Sequence, residues 1–268
     1  MNKRALTIAG SDCSGGAGIQ ADLKTMSALG VFGMSVIVSV VAENTSRVIS
    51  IEDVSPAVIK DQIDAVYEDI GTDAVKVGML STPECMEAVA ERLSFYNPDN
   101  VVIDPVMYAK NGCPLMQEDS IDALISIIIP RAKLLTPNIP EAEKISGMKI
   151  ETIDDMKRAA EIIQKMGASS VLVKGGHYMG DAEDVLLSDK GFSTYVTKRI
   201  NTKNTHGTGC TLSSAIASYL ALGNAMDEAV RLAKEYVTGA IEHSLELGKG
   251  NGPTNHFFRF FSEKEENI

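Results

Sequence analysis

The chain has 268 residues, 44% of them hydrophobic and 23% charged, the balance of an ordinary folded protein. Its 36 acidic and 25 basic side chains leave a formal charge of -11, the wrong sign for a surface that neutralises nucleic-acid phosphates, so no nucleic-acid partner is expected. No membrane association is expected either: no uninterrupted apolar run reaches the roughly 20 residues a membrane helix needs, and even Ile127-Ile128-Ile129 is stopped by Pro130-Arg131.

Residues 5–9 read as a buried strand whose apolar run ends at Ser11-Asp12, too short for a signal-peptide core, so a cytoplasmic location is expected. Further β-rich runs at 35–41, 74–77, 101–103, 134–135 and 171–173 alternate with helical spacing at 17–29, 56–70, 83–93, 120–128 and 153–166. Pro56 and Pro83 fall where a first helical turn tolerates proline. Residues 184–190 and 192–196 pattern as two strands around Asp189-Lys190-Gly191, a hairpin. Two helices, 208–222 and 226–247, precede an aromatic tail at 257–261. The alternation predicts an α/β protein: one domain over 1–268, with a mostly parallel sheet, helices on both faces and a short antiparallel edge. In such sheets ligands bind beyond the carboxyl ends of the strands, so the loops there are where chemistry is sought. Cys13, Cys85, Cys113 and Cys210 form no metal-type pairs and read as free thiols.

The loop Gly10-Ser-Asp-Cys-Ser-Gly15-Gly16-Ala17-Gly18 joins a strand to a helix, and its glycines let a ligand approach the backbone. It is neither a P-loop, which needs Lys and then Ser or Thr after Gly15, nor a G-x-G-x-x-G frame; a substrate-facing loop and a tight packing turn both fit it. Asp104-Pro105-Val106-Met107 ends a strand with a carboxylate that binds metal-bound water or caps a turn. In Thr136-Pro-Asn-Ile-Pro-Glu141, Asn138 and Glu141 share a face if the turn is helical; such oxygen ligands suit magnesium, and a capping box explains them equally well. Lys174, ending a strand before Gly175-Gly176, can meet a phosphate as a point charge. Asn204-Thr-His-Gly-Thr-Gly-Cys210 places backbone N–H donors at a helix N-terminus, an anion hole. There the macrodipole is expected to bring the Cys210 thiol below its free pKa of about 8.5 and make it a proton acceptor; a capped helix start with a small buried thiol is the other reading. An anion hole, a metal-type pair and a phosphate-type lysine share one simplest purpose, phosphoryl transfer.

Beyond these loops, the chain carries Leu6-Thr-Ile-Ala-Gly-Ser-Asp12, Gly15-Gly-Ala-Gly-Ile-Gln-Ala-Asp-Leu-Lys-Thr25, Lys76-Val-Gly-Met-Leu80, Lys174-Gly-Gly-His177, Asn201-Thr-Lys-Asn-Thr-His-Gly-Thr-Gly-Cys-Thr211 and Gly252-Pro-Thr-Asn-His256. In these motifs, over nearly its whole length, it resembles the hydroxymethylpyrimidine/phosphomethylpyrimidine kinases of thiamine biosynthesis, in the ribokinase-like superfamily. The resemblance implies a three-layer α/β/α fold and a homodimer. It also implies phosphorylation, dependent on ATP and Mg2+, of the pyrimidine's hydroxymethyl group and then of the monophosphate. By the same resemblance Gly207, Thr208, Gly209 and Cys210 form the anion hole, with Cys210 replacing the Asp base of sugar-kinase relatives. Asn138 and Glu141 serve magnesium, with Asp104 assigned beside them. Lys174, Thr202, Thr205 and His206 meet nucleotide phosphates, and Gly10, Asp12, Ala17, Glu43, Met79 and Val106 line the pyrimidine pocket.

Two positions depart from the family pattern. Glu43 stands where these kinases commonly carry Gln, and an ionised Glu accepts from the pyrimidine's amine but cannot donate to a ring nitrogen. A protonated Glu43, a protonated ring, a different substrate and simple tolerance all fit. Cys113 lies in Tyr108-Ala-Lys-Asn-Gly-Cys-Pro114, which resembles a flap over the site. Some close relatives are pyridoxal kinases that pair a flap cysteine with the anion-hole cysteine, which makes pyridoxal the alternative substrate.

Overall fold

Strands and helices alternate from the start: β1 (Arg4–Asp12), α1 (Gly18–Ala28), β2 (Phe32–Glu43), β3 (Val48–Asp53), α2 (Pro56–Asp69), β4 (Ala74–Val77), α3 (Pro83–Tyr96) and β5 (Val101–Ile103). They continue with α4 (Asp119–Ala123), β6 (Leu134–Leu135), α5 (Ile139–Ser146), α6 (Ile153–Lys165), β7 (Val171–Val173), β8 (Ala182–Ser188), β9 (Gly191–Thr197), α7 (Thr208–Ala221) and α8 (Met226–Glu242). The computed structural model describes residues 2–109, 112–116, 119–176 and 181–261, so His177 and flap residues Lys110 and Asn111 lie outside it. One sheet of nine strands runs β3-β2-β1-β4-β5-β6-β7-β8-β9. Its centre is parallel, while β3 is antiparallel to β2, β8 to β7 and β9 to β8.

The two faces of each central strand bury into different layers. Val101 and Ile103 pack with the layer that holds Ile59, Val89, Ile145 and Ile163, and Val102 between them packs with Met26, Ile216 and Val237. Burial on both faces is why these strands read as unbroken apolar runs. Each such aliphatic side chain contributes about 1.5–3 kcal/mol. Helices α2 to α6 therefore cover one face and α1, α7 and α8 the other, the three-layer arrangement expected, and among the described residues no helix is long and apolar enough to cross a membrane.

Three expectations change. β3 was not expected, because residues 48–53 are exposed or half-buried with no two-residue period and never present a buried face; pairing with β2 alone makes the strand, giving a second antiparallel edge. The helix expected over 120–128 is regular only to Ala123; a wide π-helical turn (Leu124–Ile128) and a 3-10 turn (Ile129–Arg131) follow, Pro130 having no N–H to continue the ladder. The last helix stops at Glu242 rather than 247, since Leu245 leaves it to donate to the Pro253 carbonyl at 3.0 Å.

Candidate active site

Two glycine-rich segments from opposite ends of the chain meet at the carboxyl end of the sheet. Gly207, with φ +77°, is so close to the first loop that a Cβ there would lie 1.7 Å from the Gly16 carbonyl oxygen, and one on Gly16 would lie 2.3 Å from the His206 ring. Asp12 organises the junction. Its carboxylate accepts the N–H groups of Ser14, Gly16 and Ala17 at 2.7, 3.0 and 2.8 Å and lies 2.9 Å from His206 Nε2. Burial pushes this carboxyl up, but the bonds from His206, Ser14 and Ala17 outweigh it and bring it down to about 2. The C-terminal segment straps the turn from outside: His206 N–H donates to the Gly252 carbonyl at 3.0 Å, and Gly252 N–H donates to Asn204 Oδ1 at 3.1 Å.

Beside Asp12, Glu43 at the end of β2 is pushed up to about 7 by burial and by the Asp12 charge, against the pull of His206. Asp12, Glu43 and His206 could bring three ligand atoms within 4.8 Å of one another. Asp12 Oδ2, however, already faces two N–H donors and the His206 ring, which leaves it little capacity for a metal. A group whose pKa is raised on folding stabilises the folded state fully below its unfolded pKa and loses that contribution as pH rises through the folded value. The Glu43 contribution therefore fades between about pH 4.5 and 7. Glu43→Gln should flatten the fall of melting temperature across that window, measured by thermal unfolding in matched buffers; an unchanged slope would mean that Glu43 does not titrate there.

On the other side of the turn, Asp104 follows β5 and Lys174 follows β7. Lys174 Nζ donates to Asp104 Oδ1 at 2.6 Å, and Thr136 Oγ1 donates to the same oxygen at 3.1 Å. Burial alone would lower the Lys174 pKa, but Asp104 and Glu141 hold it above its ordinary value. A Cβ on Gly209 would lie 3.3 Å from Asp104 Oδ2 and 3.5 Å from Lys174 Nζ, so the helix N-terminus rests directly on this pair. Asn138 and Glu141 do form the capping box: Asn138 Oδ1 accepts Glu141 N–H at 3.0 Å, and Glu141 Oε2 accepts Asn138 N–H at 2.8 Å. Glu141 is also buried beside Asp104, and burial with that repulsion raises it to about 7 despite Lys174.

Cys210 departs from expectation. Burial raises its thiol to about 11; Lys76 and the Gly18 N–H favour the thiolate, but Asp22 and Asp104 oppose it, and the helix end does not prevail. The thiol is the resting form. Cys13, Cys85 and Cys210 are free thiols, as expected.

These groups border a cleft of about 630 Å³, lined by Ala17, Glu43, Val106, Asp104, Asn138, Glu141, Lys174 and the turn from Thr205 to Cys210. Four expected residues stand outside that lining. The Met79 methyl occupies the space a Cβ on Gly10 would need, at 2.7 Å, so these two pack against each other rather than line the cleft. Asp12 lies behind His206, and Thr202 Oγ1 accepts Asn204 N–H at 3.1 Å, shaping the turn from beneath. The far end of the cleft was missed from sequence: Thr197 at the end of β9 and residues 198–200 after it, and Val237, Thr238 and Ile241 of α8, around a buried Lys234–Asp184 ion pair. Lys234 carried a usable signal, a charge inside the apolar stripe of Val230, Ala233, Val237 and Ala240.

Does the site suit a magnesium ion? Glu141 and Asp104 are close, buried and share one lysine, so negative charge is in excess. Hard carboxylate and amide oxygens are the donor set that magnesium takes, directly or through water, and the residues fit the ion.

A helix N-terminus facing the cleft beside the lysine fixed at the end of β7 suits a phosphotransferase, a kinase. The family profile described as phosphomethylpyrimidine kinase matches residues 12–255, and the chain belongs to that family. It is 46% identical over 256 residues to the hydroxymethylpyrimidine/phosphomethylpyrimidine kinase of Bacillus subtilis, covering 95% of this chain and 94% of that one. It is 49% identical over 252 residues to a thiamine biosynthesis bifunctional protein of Geobacter sulfurreducens, covering 94% of this chain but only 51% of the larger protein. Among solved structures it is similar to the phosphomethylpyrimidine kinase of Clostridium difficile 630 (51% identity, TM-score 0.81, 90% of this chain and 100% of that one). It is also similar to an ADP complex of Bacillus subtilis pyridoxal kinase (39% identity, TM-score 0.88, 96% and 98%).

Proposed function

We propose that the chain uses ATP to phosphorylate 4-amino-5-hydroxymethyl-2-methylpyrimidine and then its monophosphate, in thiamine biosynthesis. The observation that carries this reading is the junction of the Gly207–Cys210 N–H groups with Lys174 in a cleft whose near end is closed by Ala17, Glu43 and Val106. The substrate hydroxyl oxygen attacks the γ-phosphorus; the new P–O bond forms as the bond to the β–γ bridging oxygen breaks, and ADP leaves. Negative charge on the transferring group falls on the helix N-terminus and Lys174. The hydroxyl proton passes to the Cys210 sulfur in its minor, thiolate form, which leaves the resting thiol. Asn138, Glu141 and Asp104 are the residues that would hold magnesium, which supplies charge neutralisation to the nucleotide phosphates.

Glu43 supports the pyrimidine reading. Burial and the Asp12 charge push it up to about 7, so a protonated form is substantially present near neutrality, and a carboxylic acid offers one donor and one acceptor, the pattern of the Gln amide it replaces. The nucleotide base is assigned to the apolar far end near Ile200, Val237 and Ile241. A homodimer and a cytoplasmic location complete the proposal.

The test is steady-state kinetics with magnesium-ATP on the pyrimidine, its phosphate and pyridoxal, for wild type and Cys210→Ala. Both pyrimidines should turn over and pyridoxal should lag. In the variant kcat should fall by about 10²–10³, the span of a lost acid–base group, with little change in pyrimidine KM. Faster turnover of pyridoxal than of either pyrimidine would assign the site to the vitamin B6 substrate instead. Unchanged kcat in Cys210→Ala would remove the thiol from the mechanism.

A further inference from the structure

Neither Lys76 nor Asp22 lines the cleft, yet both lie under it. Lys76 is fully buried in β4 and donates to Asp22 Oδ2 at 2.9 Å. Asp22, on α1 and equally buried, also accepts from Thr7 Oγ1 of β1 at 2.6 Å and from the Ser214 hydroxyl of α7. Gly78 leaves room for the ammonium, since a Cβ there would lie 2.6 Å from Nζ. Ser214 is one helical turn beyond Cys210 and shares its face of α7, which sets the ion pair beneath the turn that carries the thiol.

The charged groups that face the thiol come from every side. Lys76 of β4 and Asp22 of α1 lie below, Asp104 after β5 and Lys174 after β7 lie beside it, and the Gly18 N–H at the start of α1 points at it. A buried ion pair is a weak contribution to stability, because apolar residues of the same volume are often as good or better. Fold stability alone gives little reason for a lysine in the otherwise apolar run Ala74-Val75-Lys76-Val77.

We propose that Lys76 is a positioning residue for phosphoryl transfer: Asp22 locks its ammonium beneath the first turn of α7, where the fixed positive charge favours the ionised form of the Cys210 side chain. The inference rests on Cys210 being the proton acceptor. It gives the half-buried thiol a source of thiolate that the helix end does not supply.

The test follows the pH dependence of Cys210 alkylation by iodoacetamide in the full chain, read peptide by peptide by mass spectrometry. Wild type is compared with Lys76→Met and with Lys76→Met/Asp22→Asn. The double variant leaves no unpaired buried charge, and its amide oxygen still accepts one of the two hydroxyls, Thr7 and Ser214, that the two Asp22 oxygens take, so it is the form expected to fold even if the single variant does not. Lys76→Met leaves Asp22 to oppose the thiolate, so its alkylation midpoint should move up by about one pH unit or more, about tenfold less thiolate at neutral pH; the double variant, which also removes that opposing carboxylate, should move up by less. Its kcat should fall in proportion, with the ATP KM unchanged. A wild-type midpoint in a folded Lys76→Met variant, or a downward shift in the double variant, overturns the proposal, whatever the kinetics. An inactive Cys210→Ala combined with that result sinks the role of Lys76 alone. An active Cys210→Ala sinks the proton-acceptor reading, and with it the catalytic purpose assigned to Lys76.

Discussion

Lys174→Met should lower kcat/KM for ATP-dependent turnover by about 10²–10³, the scale of losing one preorganised charge-stabilising donor. The side chain extends from the end of β7 to Asp104 at 2.6 Å, close under Gly209, so its charge is fixed where the transferring phosphoryl group must sit. The same substitution should destabilise the chain by about 3–5 kcal/mol, because Asp104 would be left buried and unpaired. The double variant Lys174→Met/Asp104→Asn separates the two effects: most of the stability should return in urea unfolding while the activity does not. Near wild-type kcat/KM in either variant would mean that Lys174 serves only its carboxylate partner.

Gly207→Ala is the second large effect. At φ +77° an L-residue pays about 1–2 kcal/mol, and here the added methyl also meets the Gly16 carbonyl oxygen at 1.7 Å. One of the two glycine-rich segments has to move, and a displacement near 1 Å at reacting groups costs on the order of 10² in rate. Both melting temperature and kcat should fall. Gly209→Ala is the contrast. Its φ is not positive and its methyl would meet only Asp104 and Lys174, at 3.3 and 3.5 Å, so melting should stay near wild type while phosphate binding suffers. Equal melting temperatures for Gly207→Ala and wild type would show that the two segments are not packed as described.

The parallel core was legible because both faces of the central strands are apolar, and the helices because their spacing and first-turn prolines are strong local signals. β3 was not, since an edge strand buried on neither face has no periodicity to read. At the site, the anion-hole turn and Lys174 stood out through glycines and position. The thiol's protonation state was misread because a helix end is a local property, whereas the burial and the Asp22 and Asp104 charges that raise the pKa come from other elements. Asn138 and Glu141 admitted two readings, and the capping geometry is one of them; it leaves the metal reading standing, because capping does not neutralise the buried excess charge that Glu141 and Asp104 share. Asp22 and Lys76 could be seen only as motif members, since nothing in either local sequence says that they meet.

The Asp12–His206 contact joins residues 194 positions apart, and the strap from Gly252 closes over the same turn. Loop closure on that scale comes late in folding, after the local strand–helix units have formed. A chain synthesised only through β9, or cut between β9 and α7, therefore holds all nine strands in its sequence and lacks the turn that completes the pocket. Enzymatic activity in this protein reports on the finished molecule alone, and in refolding it should return with the docking of the C-terminal segment rather than with the bulk of the secondary structure.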